Sequence, residues 1–168
     1  MKWTEWLAGL LLVAFAPMAL AQDYPSKPVR VVVGFTAGGA TDVAARIVAL
    51  RLTESWGKSF VVDNRPGASG MIGAELVATA PPDGYTVLVA PQTSQAVAVS
   101  LYPKIAYDPV RDFAPITVIA SSPLLLAVHP SLPVKTVKGL VALAKARPGL
   151  LTFGSGGVGT APHMAGEL

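Results

Sequence analysis

The sequence predicts an α/β fold, a parallel sheet with crossover helices arranged as two lobes around a shared cleft. Three observations lead there. Residues 29–90 read β-α-β-α-β, the repeating unit of a parallel sheet with right-handed crossovers. Val31-Val32-Val33 is an unbroken β-branched run, as in a strand buried on both faces, and it passes directly into the small-residue loop Gly34-Phe35-Thr36-Ala37-Gly38-Gly39-Ala40-Thr41-Asp42. The same succession of strand, glycine loop and helix start returns at 150–168.

The first residues are set apart from the fold. Lys2 supplies a positive start, 6–16 are almost wholly apolar, Pro17 interrupts, and Ala19-Leu20-Ala21 forms an A-x-A cleavage pattern. The apolar run is too short for a stable span, which needs about 20 residues. We read 1–21 as a cleaved secretory signal and the mature chain as starting at Gln22. A lipoprotein signal would need a cysteine, and the chain has none. About 150 residues remain, enough for a real core. The net charge of +3 comes without a basic run or aromatic-basic interleaving, which argues against nucleic acid. No disulfide or thiolate chemistry is open to a chain without cysteine. Its two histidines, His129 and His163, stand far apart without a carboxylate cluster, so no metal site is expected.

Taken in order, Tyr24-Pro25-Ser26-Lys27-Pro28 is an extended lead-in. A strand at 29–33 follows, then a helix over 41–56 with Val43, Ile47 and Leu50 at helical spacing, closed by Gly57. A second strand is expected at 59–63, a loop at Asn64-Arg65-Pro66-Gly67, and a helix capped by Ser69 that carries Ile72, Leu76 and Val77. Pro81-Pro82-Asp83-Gly84 is a turn before a third strand at 85–90. Beyond it come the polar loop Pro91-Gln92-Thr93-Ser94, a short helical stretch over 95–101, and a proline-rich connection over 102–115. Strands are expected at 116–120 and 124–128, closed by His129-Pro130. Thr136 caps a helix with Val137, Leu140, Val141 and Leu143 inward, which Pro148-Gly149 stops. A last strand at 150–153 leads through Gly154-Ser155-Gly156-Gly157-Val158-Gly159-Thr160 into a helix from Ala161.

Glycine loops that open helices let backbone N–H groups approach a ligand at the positive end of the helix dipole. The first loop also reads as an ordinary βα turn with Thr41 or Asp42 as N-cap. Two such loops facing one cleft, at the carboxyl ends of parallel strands, suit a carboxylate. Three other chemistries bear on these residues. Gly154-x-Gly156-x-x-Gly159 matches a dinucleotide fingerprint, but the acidic residue expected about 20 positions later would fall beyond Leu168, the strand before it is short, and the chain reads as exported. Ser155 with His163 and Asp42 as orienting carboxylate suggests a secreted hydrolase, yet Phe153-Gly154-Ser155-Gly156-Gly157 does not fit the G-x-S-x-G elbow. A phosphate loop ending Gly-Lys-Ser/Thr does not occur. Arg65 reads equally as an anion donor or as a link between loop and sheet.

Several motifs, in order along the mature chain, carry a resemblance. They are Tyr24-Pro25-Ser26-Lys27-Pro28-Val29-Arg30, the loop from Gly34 to Asp42, Val62-Asp63-Asn64-Arg65-Pro66-Gly67-Ala68, Pro82-Asp83-Gly84-Tyr85-Thr86, Leu101-Tyr102-Pro103-Lys104, Tyr107-Asp108-Pro109-Val110-Arg111-Asp112-Phe113-Ala114-Pro115, and the stretch 154–168 with His163 and Gly166-Glu167-Leu168. With these the chain resembles the Bug-type extracytoplasmic solute receptors of tripartite tricarboxylate transporters. The resemblance implies a type 2 periplasmic-binding-protein fold whose two lobes close on a small carboxylated solute, in a periplasmic, monomeric, non-enzymatic receptor. That receptor needs no cofactor and passes its solute to a membrane permease. It places Phe35, Ala37, Gly38, Gly39, Thr41 and Asp42 of the first loop, and Ser155, Gly156, Gly157, Gly159, Thr160 and His163 of the second, on the ligand, with Thr93 and Ser94 lining the cleft. Pro91-Gln92 stands where the family usually has smaller residues. Family members are roughly twice as long, so 22–122 is expected to form the first lobe and 123–168 an incomplete start of the second, in a truncated chain, with a non-functional fragment that binds no ligand as a further reading.

Overall fold

The computed structural model describes residues 23–168, so the expected signal segment lies outside the described residues. Three parallel strands, β1 (Val29–Val33), β2 (Phe60–Asn64) and β3 (Thr86–Val89), form one sheet in the order β2-β1-β3. Val29 pairs with Phe60 and Val33 with Asn64 on one side, and Arg30 with Thr86 and Val33 with Val89 on the other. The valine run therefore takes the central position, which its lack of polar alternation requires. Helix α1 (Ala40–Trp56) packs on β1 and β2, and α2 (Met71–Ala78) on β1 and β3. Crossovers of one hand that move in opposite directions across the sheet, β1 to β2 and then β2 past β1 to β3, place these helices on opposite faces.

The core is small-residue packing. Val31 and Val33 meet Ala45 and Ala49 of α1, with Phe35, Phe60, Val62, Val87 and Val89 against them. Alanine on the buried face lets the helix sit close to the sheet. This reverses the expected orientation of α1: Val43, Ile47 and Leu50 point outward, Ile47 being 59% exposed. The helix closes where expected, with Gly57 at φ 65° donating its N–H to Thr53 O. Thr53 Oγ1 donates to Ala49 O and accepts from Phe60 N, tying the helix end to β2.

On the other face glycine permits a closer contact. A Cβ at Gly34 would lie 2.7 Å from both Gly70 Cα and Gly70 O, and one at Gly73 would lie 2.8 Å from Gly34 Cα. The start of α2 differs from expectation. Gly70, not Ser69, is its N-cap, and Ser69 stands in a 3-10 turn (Ala68–Gly70) at φ 54° with its hydroxyl directed elsewhere.

After β3 come two short helices, α3 (Gln92–Ala96) and α4 (Ala98–Leu101), then α5 (Val137–Ala146) and α6 (Ala161–Glu167). Thr136 caps α5 as expected, its hydroxyl accepting from Gly139 N. The strands expected at 116–120, 124–128 and 150–153 are not formed. Their backbones join no ladder among the described residues, and a strand exists only as one member of a ladder. Their apolar side chains stay in solvent, with Ile116 83% and Leu125 91% exposed. The inward face expected of α5 is likewise open at Val137 and Val141. Among the described residues, no helix is long and apolar enough to cross a membrane.

Candidate functional site

The first loop leaves the carboxyl end of β1 and opens α1. Thr36, Ala37, Gly38, Gly39 and Ala40 are exposed, Phe35 and Thr41 half-buried. Neither Thr41 nor Asp42 is the N-cap; Gly39 is, without a side-chain cap bond. Asp42 stands within the first turn, 2% exposed. Its Oδ2 accepts from Gly38 N at 2.8 Å and from Arg46 Nε at 2.9 Å, and its Oδ1 accepts from Asn64 Nδ2 at 2.9 Å. These donors hold the carboxyl well below its ordinary range, the Arg46 guanidinium first, then Gly38 N–H and Asn64. Asn64 Nδ2 also donates to Phe35 O at 3.0 Å.

Both Asp42 oxygens are thus engaged by protein donors at the root of the loop. Arg46 offsets the Asp42 charge, and the first N–H groups of α1, which have no intrahelical partner, remain open to an anion.

Thr93 and Ser94 lie in α3. Thr93 is half-buried; Ser94 is buried, and its hydroxyl donates to Pro91 O at 2.9 Å. Tyr107 Oη in turn donates to Ser94 O at 3.0 Å. The Ser94 hydroxyl is spent inside the turn. Arg65 takes the structural role, its Nε donating to Asp63, which also pairs with Arg30.

In the second loop Gly154, Ser155 and Gly156 are exposed, while Gly159 and Thr160 are buried. Ser155 Oγ accepts weakly from Gly157 N at 3.4 Å, and Thr160 Oγ1 donates to Gly157 O at 2.7 Å. Gly157 at φ 123° and Gly159 at φ 81° are left-handed, so this arch depends on glycine. His163 does not reach Ser155. Its Nδ1 is buried without a partner, its Nε2 stands 3.8 Å from Glu167 Oε1, and its ring lies against Phe153. A serine hydrolase needs the base on the nucleophile, so the hydrolase reading lacks its first contact. No group of three metal-ligating side chains occurs among the described residues.

What joins the two loops is a segment that the sequence reads as a loop at 64–67 and a helix cap at Ser69. A Cβ at Gly70 would meet the Phe35 ring of the first loop at 2.9 Å and Ser94 Cβ at 3.4 Å, while Ser69 Oγ donates to Val158 O of the second loop at 2.7 Å. The turn from Gly67 to Gly70 is therefore the seat on which both loops rest. The signal was present in Gly67-Ala68-Ser69-Gly70, a third small-residue loop at the carboxyl end of a strand of the same sheet.

Known proteins resemble this arrangement. Residues 44–168 match the model of the tripartite tricarboxylate transporter family receptor. Protein BugT of Bordetella pertussis is 39% identical over 91% of this chain and 47% of its own length. Among solved structures, Rhodopseudomonas palustris Rpa4515 with adipate aligns at 44% identity and TM-score 0.79, covering 86% of this chain and 48% of that one. MatC (Rpa3494) of the same organism, with bound malate, aligns at 34% identity and TM-score 0.69, covering 73% and 42%. The chain spans about half the length of the curated relatives it matches. The family is one of transporter receptors rather than catalysts. By its parallel sheet, its glycine loops and its match over 44–168, the chain belongs to the tripartite tricarboxylate transporter receptor family.

Proposed function

We propose that this chain takes a small carboxylated solute, a dicarboxylate or related organic acid, between the loop 34–42 and the loop 154–160, as part of a periplasmic receptor. In this reading 22–122 form the first lobe, 123–168 begin the second, and 1–21 direct export. The observation that carries it is the pair of glycine loops seated on one turn, both opening helices at the carboxyl end of the sheet. The adipate and malate bound to two structural relatives support the solute class. Ala37 and Thr41 on one side, and Ser155 and Gly156 on the other, would offer backbone N–H groups and hydroxyls, while Gly38, Gly39, Gly157 and Thr160, whose own donors bond within the loops, would hold those loops in shape. Phe35, Thr93 and His163 would shape the walls. No proton transfer is required of any of them.

Closure would follow the solute's preference for the closed form. The closed receptor would then present its solute to the permease of a tripartite transporter.

Calorimetric titration with adipate and malate, against their diamides, tests the reading. Binding of the acids but not of the neutral diamides is expected, because backbone donors at a helix start favour negative charge. Equal binding of acid and diamide, or binding of neither, would overturn it.

A further inference from the structure

The side-chain hydrogen bonds between the two halves of the site converge, among the described residues, on one backbone atom. Val158 O accepts from Ser69 Oγ at 2.7 Å and from Tyr102 Oη at 3.2 Å, donors 89 and 56 residues earlier in the chain. A carbonyl oxygen offers two lone pairs, and both are used. The Val158 side chain is exposed, so the residue is held by its backbone and not by packing. Flanking glycines make this possible. Gly157 and Gly159 take left-handed φ values that turn the carbonyl towards the sheet-bearing half. They also admit close approach, since a Cβ at Gly157 would stand 2.9 Å from Ser69 Oγ and one at Gly159 2.6 Å from Leu101 Cδ2. Ser69 itself is held at φ 54°, an uncommon conformation for a residue with a side chain. Three separate features, the strained serine, the tyrosine hydroxyl and the glycine arch, converge on one oxygen.

We propose that Ser69 and Tyr102 form a latch that holds the second loop against the first half of the site through Val158 O, independently of any solute. Opening the cleft then requires both hydrogen bonds to break. Their presence raises the fraction of molecules already poised to bind, and affinity rises with that fraction. Only this effect on affinity rests on the proposed carboxylate site; the latch itself does not.

The test is hydrogen–deuterium exchange of the whole chain without solute, comparing Ser69→Gly, Tyr102→Phe and the double variant. Glycine suits the φ of position 69, and phenylalanine keeps the ring of Tyr102, so each change removes a hydroxyl with little else. Exchange in peptides spanning 157–164 should accelerate about fivefold in each single variant and up to roughly thirtyfold in the double, as expected for hydrogen bonds of ordinary net strength. Peptides covering β1 should not change. Unchanged exchange at 157–164 would overturn the latch. Equal loosening of β1, or a β1 unprotected in the unsubstituted chain, would overturn it too, since the hydroxyls would then not act locally on a formed fold. A chain that passes this test yet binds no carboxylate would refute the proposed function and leave the latch standing.

Discussion

Gly34→Ala and Gly73→Ala should each destabilise the fold, and together they should do less damage than the sum. At Gly34 the added carbon would sit 2.7 Å from Gly70 Cα and Gly70 O; at Gly73 it would sit 2.8 Å from Gly34 Cα. Comfortable carbon contacts lie near 3.5–4 Å, so either change must part the same two backbone segments by about 1 Å. No flexible side chain can give way. Gly70 cannot retreat easily, because it lies at φ 94° against the Phe35 ring. Overpacking of this kind costs about 1–3 kcal/mol, and backbone against backbone belongs at the upper end, about 2–3 kcal/mol. For a chain of this size that is a fall in Tm of roughly 5–10 °C, read by circular dichroism. Once one substitution has separated the segments the second meets less resistance, so a coupling of at least about 0.5 kcal/mol is expected. Gly38→Ala is the comparison: its φ of 85° strains alanine by about 1–2 kcal/mol, but nothing lies within 4 Å, so it should add independently to Gly34→Ala. Single variants as stable as the parent, or strict additivity of Gly34→Ala with Gly73→Ala, would refute the reasoning.

Asp42→Asn should lower stability at neutral pH and flatten the loss of stability in acid. The folded carboxyl is held below its ordinary value of 3.8, so the unfolded chain binds more protons as pH falls through that region. Its contribution is present above about pH 4 and fades below it. Melting curves from pH 7 to 3 would show this, with some acid sensitivity left because Asp63, Asp83, Asp108 and Asp112 are also lowered. Thr53→Val removes the acceptor of Phe60 N and should cost about 1–2 kcal/mol in urea titration; a neutral result would mean that the tie between α1 and β2 carries no weight.

Much of the first half was legible because its elements are specified locally. The apolar run fixed β1, Gly57 ended α1, and Pro-Pro-Asp-Gly preceded β3. The buried face of α1 was misread because hydrophobicity favoured Val43, Ile47 and Leu50, whereas the close approach of helix to sheet favoured Ala45 and Ala49. The resemblance places Asp42 on the solute and Ser94 along the cleft, but it carries no information on side-chain bonding. Which of their oxygens are already taken depends on Arg46, Asn64 and Pro91, neighbours that only the fold brings near. The three expected strands of the second half have the right composition, but strand formation is a property of a pair, and composition cannot supply the partner. The seat at Ser69 was hidden for a related reason: a serine near a helix start reads as a cap, and its donation to Val158 spans 89 residues.

The most direct test of solute binding at the glycine loops is thermal unfolding with and without adipate, in the parent chain and in Gly39→Val. Gly39 has an ordinary φ of −74°, and a Cβ there would meet only Thr36 O at 3.5 Å, so valine should fold while filling the loop mouth. A hundredfold excess over Kd should stabilise the parent by about 2.7 kcal/mol, seen as a rise in Tm, and should leave Gly39→Val unmoved. An equal rise in both chains would place the solute elsewhere, and no rise in the parent would contradict carboxylate binding by this chain.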